Sequence, residues 1–91
     1  MKITNVRIRK IFDEDPMRAV VSVTFDDSLV IHDIKIIHAR ENYFIVMPSR
    51  KLQDGTYRDI AHPINMDFRG KLEKAILDAY TVHLAALKEE E

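Results

Sequence analysis

The stretch MRAVVSVTFDDSLVIHDIKII, residues 17–37, decides the fold of this chain. Apolar and polar residues alternate along residues 17–25, and a period of two is typical of a β-strand with one buried face. Residues 28–37 are rich in branched apolar residues and predict a second strand. Asp26 and Asp27 lie between the two strands, and aspartate tolerates the backbone of a tight turn. The stretch therefore predicts an antiparallel hairpin.

Elements before and after this hairpin extend the same sheet. Residues 2–12 alternate as a strand before it, and YFIVM at residues 43–47 predicts a fourth strand that ends at a proline. Residues 49–56 predict a loop or hairpin tip, in which Gly55 supplies a positive φ, and residues 57–60 predict a short fifth strand. The predicted buried faces of the first and third strands comprise Val6, Ile8 and Phe12, and Val30, His32, Ile34 and Ile36.

The period of the sequence changes to that of a helix after Pro63. Asn65 is a good N-cap and the helix dipole favours Asp67 in the first turn, so we expect a helix over about residues 66–87. Three acids within residues 88–91 are unfavourable at a helix C-terminus and predict a frayed tail. An apolar stripe at spacings of three and four comprises Phe68, Leu72, Ala75, Ile76, Ala79, Tyr80, His83 and Leu87.

These elements predict an α+β fold with a single antiparallel sheet of four to five strands in a meander, followed by one long C-terminal amphipathic helix. With 91 residues, 46% of them hydrophobic, the chain is one globular domain over residues 1–91, with its strands within about residues 2–60. A core of this size buries only about 60–65% of the unfolded surface, so a dimer interface would add stability.

The composition excludes several kinds of site. The chain has no cysteine, which excludes disulfides, thiolate metal ligands and cysteine nucleophiles and makes a reducing cytoplasm the expected location. No segment approaches the roughly 18–20 apolar residues of a membrane span. The four histidines lack metal-ligand spacing, and Asp59 with His62 is interpreted as a turn contact rather than a catalytic pair. We therefore expect no enzymatic activity, no metal and no cofactor.

Positive charge is concentrated in the middle of a chain whose formal net charge is −1. Residues 48–71 carry five cations and three acids, whereas residues 72–91 carry two cations and five acids. Arg50 and Lys51 lie on a loop after a strand, where exposed cations contact the phosphates or base edges of an anionic polymer. Further cations that extend this patch are Arg58, Arg69 and Lys71. The residues alone leave open the alternative that these cations only solvate the hairpin.

Two further sets of side chains fit the same polymer, but each has a structural interpretation that we favour. Arg7, Arg9 and Arg18 would form a basic stripe across neighbouring strands, but nearby acids are expected to neutralise them as cross-strand pairs. Aromatic side chains in strands are able to stack on bases but more often pack within the fold. They comprise Tyr43, Phe44 and Tyr57.

Four segments of the chain resemble one bacterial family. They are MKITNVRIRKI at the N-terminus, MRAVVSVTFDDSLVIHDIKII, MPSRK at residues 47–51 and DGTYRDIAHPIN at residues 54–65. Their order and spacing, over residues 1–80, resemble the stage V sporulation protein G (SpoVG) family, also called "putative septation protein SpoVG". The resemblance implies a small bacterial regulator linked to septation, cell division, the cell cycle, sporulation and transcription regulation.

The resemblance also implies a homodimer that binds DNA and RNA with some sequence preference. Arg50 and Lys51 of the MPSRK segment would be the principal contacts, and the start of the helix would tune the preference. The helix-start residues carried over are Asp67, Phe68, Arg69, Gly70 and Lys71. An alternative function is a protein interaction module in cell-division regulation, which binds a division or regulatory protein and contacts nucleic acid only incidentally.

Overall fold

The computed structural model describes residues 1–90, which form six β-strands and one α-helix. The elements are β1 (Ile3–Ile11), β2 (Met17–Phe25), β3 (Leu29–Ala39), β4 (Asn42–Val46), β5 (Ser49–Lys51), β6 (Tyr57–Asp59) and α1 (Met66–Glu90). The first four strands form an antiparallel sheet in the order β1-β2-β3-β4, and β5 with β6 forms a separate two-stranded sheet. The predicted α+β meander with a C-terminal helix is confirmed, while the predicted fifth strand pairs outside the main sheet.

Two tight turns flank β3, and both use residues with positive φ. Asp26 and Asp27 each have a φ of 51°, and Arg40 and Glu41 have φ values of 53° and 66°. Two successive positive φ values twist the chain in the sense that the flanking strands require. The backbone amide of Lys2 donates a hydrogen bond to Asp26 Oδ1 at 3.0 Å, so the first turn also holds the start of the chain. The predicted turn at Asp26 and Asp27 is confirmed.

The core lies between one face of the four-stranded sheet and helix α1. Successive side chains of a strand point to opposite faces, so alternate residues of the strands meet the helix. The buried apolar side chains are Ala19, Val21, Val23, Phe25, Ile34, Ile36, Ile45, Met47, Leu72, Ile76 and Tyr80. Residues 1–90 provide no second helix, so the other face of the sheet stays uncovered.

A β-bulge at Asp33 decides which side chains of β3 enter the core. Asp33 has a φ of 64°, and two residues of β3 oppose one residue of β2 at this point. The extra residue reverses the alternation, so Ile31 packs against the core before the bulge and Ile34 packs there after it. The prediction that Val30 and His32 share the buried face is therefore wrong, because both are exposed.

A second bulge, in β1, has the same effect. Arg9 is the extra residue where the pairing with β2 shifts between Ile8 and Lys10. Lys10 and Phe12 then lie on the face away from the helix, where Lys10 Nζ is 5.0 Å from the centre of the Phe12 ring. The prediction that Phe12 shares a face with Ile8 is wrong for this reason.

Helix α1 begins where the sequence predicts. The side-chain oxygen of Asn65 accepts a hydrogen bond from the backbone amide of Phe68 at 2.7 Å and caps the first turn. The helix packs on the sheet as far as Leu84. Leu87, which the sequence places on the apolar stripe, is 41% exposed, so the contact between helix and sheet ends near Leu84.

Helix α1 includes Glu89 and Glu90, which are two of the three acids at the end of the sequence. Residues 88–90 continue the helix, and Glu91 lies outside the described residues, so the frayed tail stays a prediction. Within the described part of the chain, no helix has both the length and the apolar composition that crossing a bilayer requires.

The faces of β3 are open to a direct test of stability. Ile36→Ala removes a fully buried side chain, and we expect a loss of about 2–5 kcal/mol in the free energy of unfolding. Val30→Ala changes an exposed side chain and should alter this free energy by less than about 1 kcal/mol. Urea unfolding followed by circular dichroism measures both values. Equal losses in the two variants would contradict the bulge at Asp33.

Candidate nucleic-acid interface

Strands β5 and β6 belong to a short hairpin, residues 48–60, which we call the basic hairpin. The Ile60 amide donates to the carbonyl oxygen of Pro48 at 2.7 Å and closes its base. The Leu52 amide donates to the carbonyl oxygen of Thr56 at 2.7 Å and closes its tip. Every residue of β5 and β6 is exposed. The basic hairpin is therefore held by backbone pairing rather than by burial in the core.

The three cations of the basic hairpin lie on two faces. Arg50 pairs with Arg58 in the register of the strands, and Lys51 pairs with Tyr57. Neighbouring residues of a strand point to opposite faces, so Arg50 shares a face with Arg58 while Lys51 lies on the other face. The sequence predicts Arg50 and Lys51 as one contact, whereas the structure separates them and joins Arg50 to Arg58.

The pairing of Arg50 with Arg58 creates a place for an anion. Like charges directly opposite each other on a sheet repel. None of the ion pairs among the described residues involves Arg50, Lys51 or Arg58. A phosphate between the two guanidinium groups would remove the repulsion and accept hydrogen bonds from both of them.

Asp54 fixes the shape of the hairpin tip. Its Oδ1 atom accepts hydrogen bonds from the Thr56 hydroxyl at 2.6 Å and from the Thr56 backbone amide at 3.0 Å. These bonds, the hydroxyl first and the amide second, lower the pKa of the Asp54 carboxyl below its ordinary value. Gly55 adopts a φ of 89° between them, as the sequence predicts. The carboxylate is therefore engaged within the tip itself.

The start of α1 holds charged side chains in weak contacts. Lys71 Nζ is 3.4 Å from Asp67 Oδ2, and an ion pair between such exposed groups is weak in water. Arg69 Nη2 is 3.5 Å from the carbonyl oxygen of Ile45, so this guanidinium lies beside β4. Gly70 has no heavy atom within 4 Å of the position that a Cβ would occupy. The helix start therefore has an accessible backbone at Gly70. A negatively charged ligand would compete with Asp67 for Lys71.

Phe68 differs from the other helix-start residues because it belongs to the core. Its side chain is half-buried, and the centre of its ring is 6.0 Å from that of Phe25. The ring is therefore not available to stack on a base. Phe68 is therefore not part of the proposed contact surface.

The remaining sequence candidates make local contacts. Arg18 Nη1 is 3.4 Å from Asp15 Oδ1, an acid three residues earlier. Tyr43 is 43% exposed, and its ring centre is 4.4 Å from that of His38. His62 Nδ1 is 3.0 Å from the carbonyl oxygen of the next residue, which is a turn contact. Within the described residues, no group of three histidines or acids is placed to hold a metal ion.

Exposed apolar side chains beside the basic hairpin form a feature that the sequence analysis missed. Ile64 and Met66 are 91% and 90% exposed, and Tyr57 and Ile60 are largely exposed as well. We call these four side chains the apolar rim. The four residues lie close together along the chain, within residues 57–66, and exposed apolar patches mark surfaces that other molecules cover. The signal in the sequence is the isoleucine at position 64, which lies between the predicted fifth strand and the predicted helix.

The fold and the hairpin define a class of small α+β domains that combine a four-stranded meander, one long helix and an exposed cationic hairpin. The model of the SpoVG family matches residues 1–82, and this chain belongs to that family. The resemblance drawn from its motifs is confirmed.

Several relatives share most of the sequence. One from Caldanaerobacter subterraneus, named "Putative septation protein SpoVG", is 61% identical over 80 residues, which cover 88% of each chain. A relative of the same name from Lachnospira eligens is 61% identical over 80 residues, or 88% of this chain and 91% of the relative. Another from Clostridium novyi is 58% identical over 82 residues, or 90% of this chain and 82% of the relative.

The contacts of Asp54 predict a pH dependence of the hairpin tip. A carboxyl whose pKa is lowered by folding stabilises the tip above its ordinary pKa, and this contribution is lost as the pH falls through the lowered value. Thr56→Val removes the hydroxyl donor, so we expect the pKa of Asp54 to rise toward its ordinary value. Carboxyl chemical shifts in an NMR pH titration measure the change. Thr56→Ser keeps a hydroxyl as the control, and an unchanged Asp54 titration in Thr56→Val would contradict the assignment.

Proposed function

We propose that this protein is a small bacterial regulator that binds DNA and RNA as a homodimer and acts in septation and sporulation control. The observation that carries the proposal is the Arg50 and Arg58 pair on an exposed hairpin, without ion pairs to the described acids. The name of the relatives supports the link to septation. Transcription regulation in the cytoplasm, coupled to cell division and the cell cycle, belongs to the same proposal.

Phosphate contacts supply most of the proposed affinity. The guanidinium groups of Arg50 and Arg58 each present a planar fork that donates two parallel hydrogen bonds to phosphate oxygens. Lys51 adds a point charge on the other face of the hairpin. With roughly two or three phosphate contacts for each protomer, a monomer binds weakly at physiological salt. A second copy is therefore part of the proposed mechanism.

The start of α1 is proposed to adjust sequence preference. A phosphate competes with Asp67 for Lys71, because their exposed ion pair is weak. The Asp67 carboxylate that is released repels phosphate but accepts hydrogen bonds from amino groups of bases. The open backbone at Gly70 lets a nucleotide approach closely. This segment therefore favours some base sequences over others.

The apolar rim supports self-association. Its exposed side chains lie in or directly after the basic hairpin, between Tyr57 and Met66. A symmetric dimer that covers the rim of both copies brings two basic hairpins into one assembly. The second hairpin then binds the same polymer at a high effective concentration, so the dimer binds more tightly than either protomer alone.

The apolar rim also favours a second candidate function. A division or regulatory protein would cover Ile64 and Met66 in place of a second copy, and nucleic-acid binding would be incidental. The formal net charge of −1 is lower than that of a typical nucleic-acid-binding domain and fits this interaction module. The two functions differ in how strongly nucleic-acid binding depends on salt and on the hairpin cations.

Removal of two of the three hairpin cations tests the main proposal. Wild-type protein should bind duplex DNA, single-stranded DNA and RNA with a log-log salt slope of about −3 to −5, because a dimer neutralises roughly four to six phosphates. Arg50→Ala with Lys51→Ala should weaken binding to all three by about tenfold or more and make the slope shallower. Fluorescence anisotropy with labelled oligonucleotides measures both quantities.

A matched variant controls for net charge in this experiment. Lys2→Ala with Lys74→Ala removes two exposed positive charges elsewhere and should change binding only slightly. If the hairpin variant binds all three polymers as the wild type does, the assignment of the site is wrong. If the wild type binds none of them at low salt, the interaction module is favoured.

The apolar rim predicts a concentration-dependent dimer. Ile64→Ser with Met66→Ser should shift the population toward monomer, because both apolar side chains leave the proposed interface. Sedimentation velocity over a range of protein concentrations measures the shift. Val82→Ser changes an exposed apolar side chain on α1 and serves as the control. A wild-type monomer at every concentration would contradict the dimer, and an unchanged dimer in the double variant would exclude the rim as its interface.

A further inference from the structure

The main sheet has a second face that α1 does not cover, and strand pairing identifies its side chains. Val20 lies on this face because its two neighbours in β2 are fully buried on the other. Lys10 pairs with Val20, and Val20 pairs with Lys35. Lys35 in turn pairs with Val46, so one row of side chains crosses all four strands. We call this surface the open sheet face and define it by Arg7, Arg9, Lys10, Lys35, Phe44 and Val46.

Positive charge on the open sheet face is not paired. None of the ion pairs among the described residues involves its four cations, which are Arg7, Arg9, Lys10 and Lys35. The expected neutralisation by cross-strand acids therefore does not occur at Arg7 or Arg9. Asp33 lines the same shallow depression as Arg9, so one carboxylate lies beside one of the four cations. An excess of positive charge remains on this face.

Apolar and aromatic side chains lie among these cations. Phe44 is 37% exposed and projects on the same side as Val46. Ile37 is the strand partner of Phe44 and extends the apolar surface onto β3. The Phe12 ring lies 5.0 Å from Lys10 Nζ at the other edge of the sheet. Cations interleaved with rings and aliphatic groups match a polymer that alternates charged groups with flat apolar ones.

We propose that the open sheet face binds single-stranded nucleic acid, with its four cations on the phosphates and an unpaired base on the Phe44 ring. The inference rests on the proposed function in that the ligand is a nucleic acid, and it adds a second contact surface, separate from the basic hairpin, that only single strands use. Bases in a duplex are already stacked on one another, so they offer no free face to Phe44. An acidic peptide supplies negative charge for the cations, but it lacks a flat group beside each charge that would stack on the Phe44 ring.

The dimensions of the sheet suit a short single strand. Neighbouring strands lie about 4.8 Å apart, so about 14 Å separates β1 from β4 and leaves room for a few nucleotides across the strands. Near the middle, Ser22 Oγ and His32 Nδ1 are 2.8 Å apart in a hydrogen bond. The second ring nitrogen of the exposed His32 has no hydrogen-bond partner among the described residues and is placed to meet a base edge or a sugar hydroxyl.

Two variants of the full chain test this surface, with oligouridylate and a duplex DNA of equal length as probes. Phe44→Leu removes the ring but keeps an apolar side chain, and we expect about tenfold weaker binding of oligouridylate. Lys10→Ala with Lys35→Ala should also weaken oligouridylate binding by about tenfold and make its salt slope shallower by about 1 to 2. The dissociation constant of each variant for the duplex should stay within about twofold of the wild-type value, because the duplex binds through phosphate contacts at the basic hairpin.

The controls separate this inference from the function of the hairpin. Lys2→Ala with Lys74→Ala is the matched charge control, and amide shift changes on β1 to β4 with added oligouridylate give a second measurement that needs no variant. Unchanged oligouridylate binding in Phe44→Leu overturns the inference, and so does equal competition by poly-glutamate. Loss of oligouridylate binding in Phe44→Leu, together with unchanged duplex binding in Arg50→Ala with Lys51→Ala, supports the inference and overturns the hairpin assignment.

Discussion

One helix has to cover a four-stranded sheet, and this constraint organises the whole molecule. Helix α1 packs on a single face, where Leu72, Ile76 and Tyr80 are buried against the strands. The described residues provide nothing comparable for the other face. A sheet face that meets water has to mix polar side chains with apolar ones. The division into a dry core and a charged open sheet face therefore follows from the number of elements in the chain.

Bulges explain most of the difference between the predicted and observed faces. The sequence correctly predicts the strand order and the turn at Asp26 and Asp27, because alternation over many residues and two adjacent turn formers are local signals. At Arg9 and Asp33 a single inserted residue reverses the phase of everything that follows. Aspartate is tolerated at a positive φ but is common elsewhere, so Asp33 carries no distinct signal. The pattern predicts the elements, but a single phase of alternation assigns the faces correctly on only one side of each bulge.

The candidate site also combines features that the sequence predicts with features that only the structure shows. The sequence indicates the hairpin cations because MPSRK and DGTYRD are local, largely polar runs that follow the fourth strand. The register of β5 against β6 depends on backbone pairing, and it joins Arg50 to Arg58 rather than to Lys51. The family resemblance carries Phe68 over as part of the helix-start segment, yet the packing of α1 directs its ring toward Phe25. Pairing across strands and packing between elements are the two contributions that the linear pattern lacks.

The basic hairpin contributes no buried residue of β5 or β6 to the core. Its shape comes from backbone hydrogen bonds at its base and tip and from the bonds between Asp54 and Thr56. Substitutions of its exposed side chains are therefore close to neutral for stability. The minimum folding stability that selection maintains restricts core residues but does not restrict these side chains. In evolutionary terms, the exposed side chains of the basic hairpin are free to diverge between related proteins while the inherited scaffold of sheet and helix stays the same.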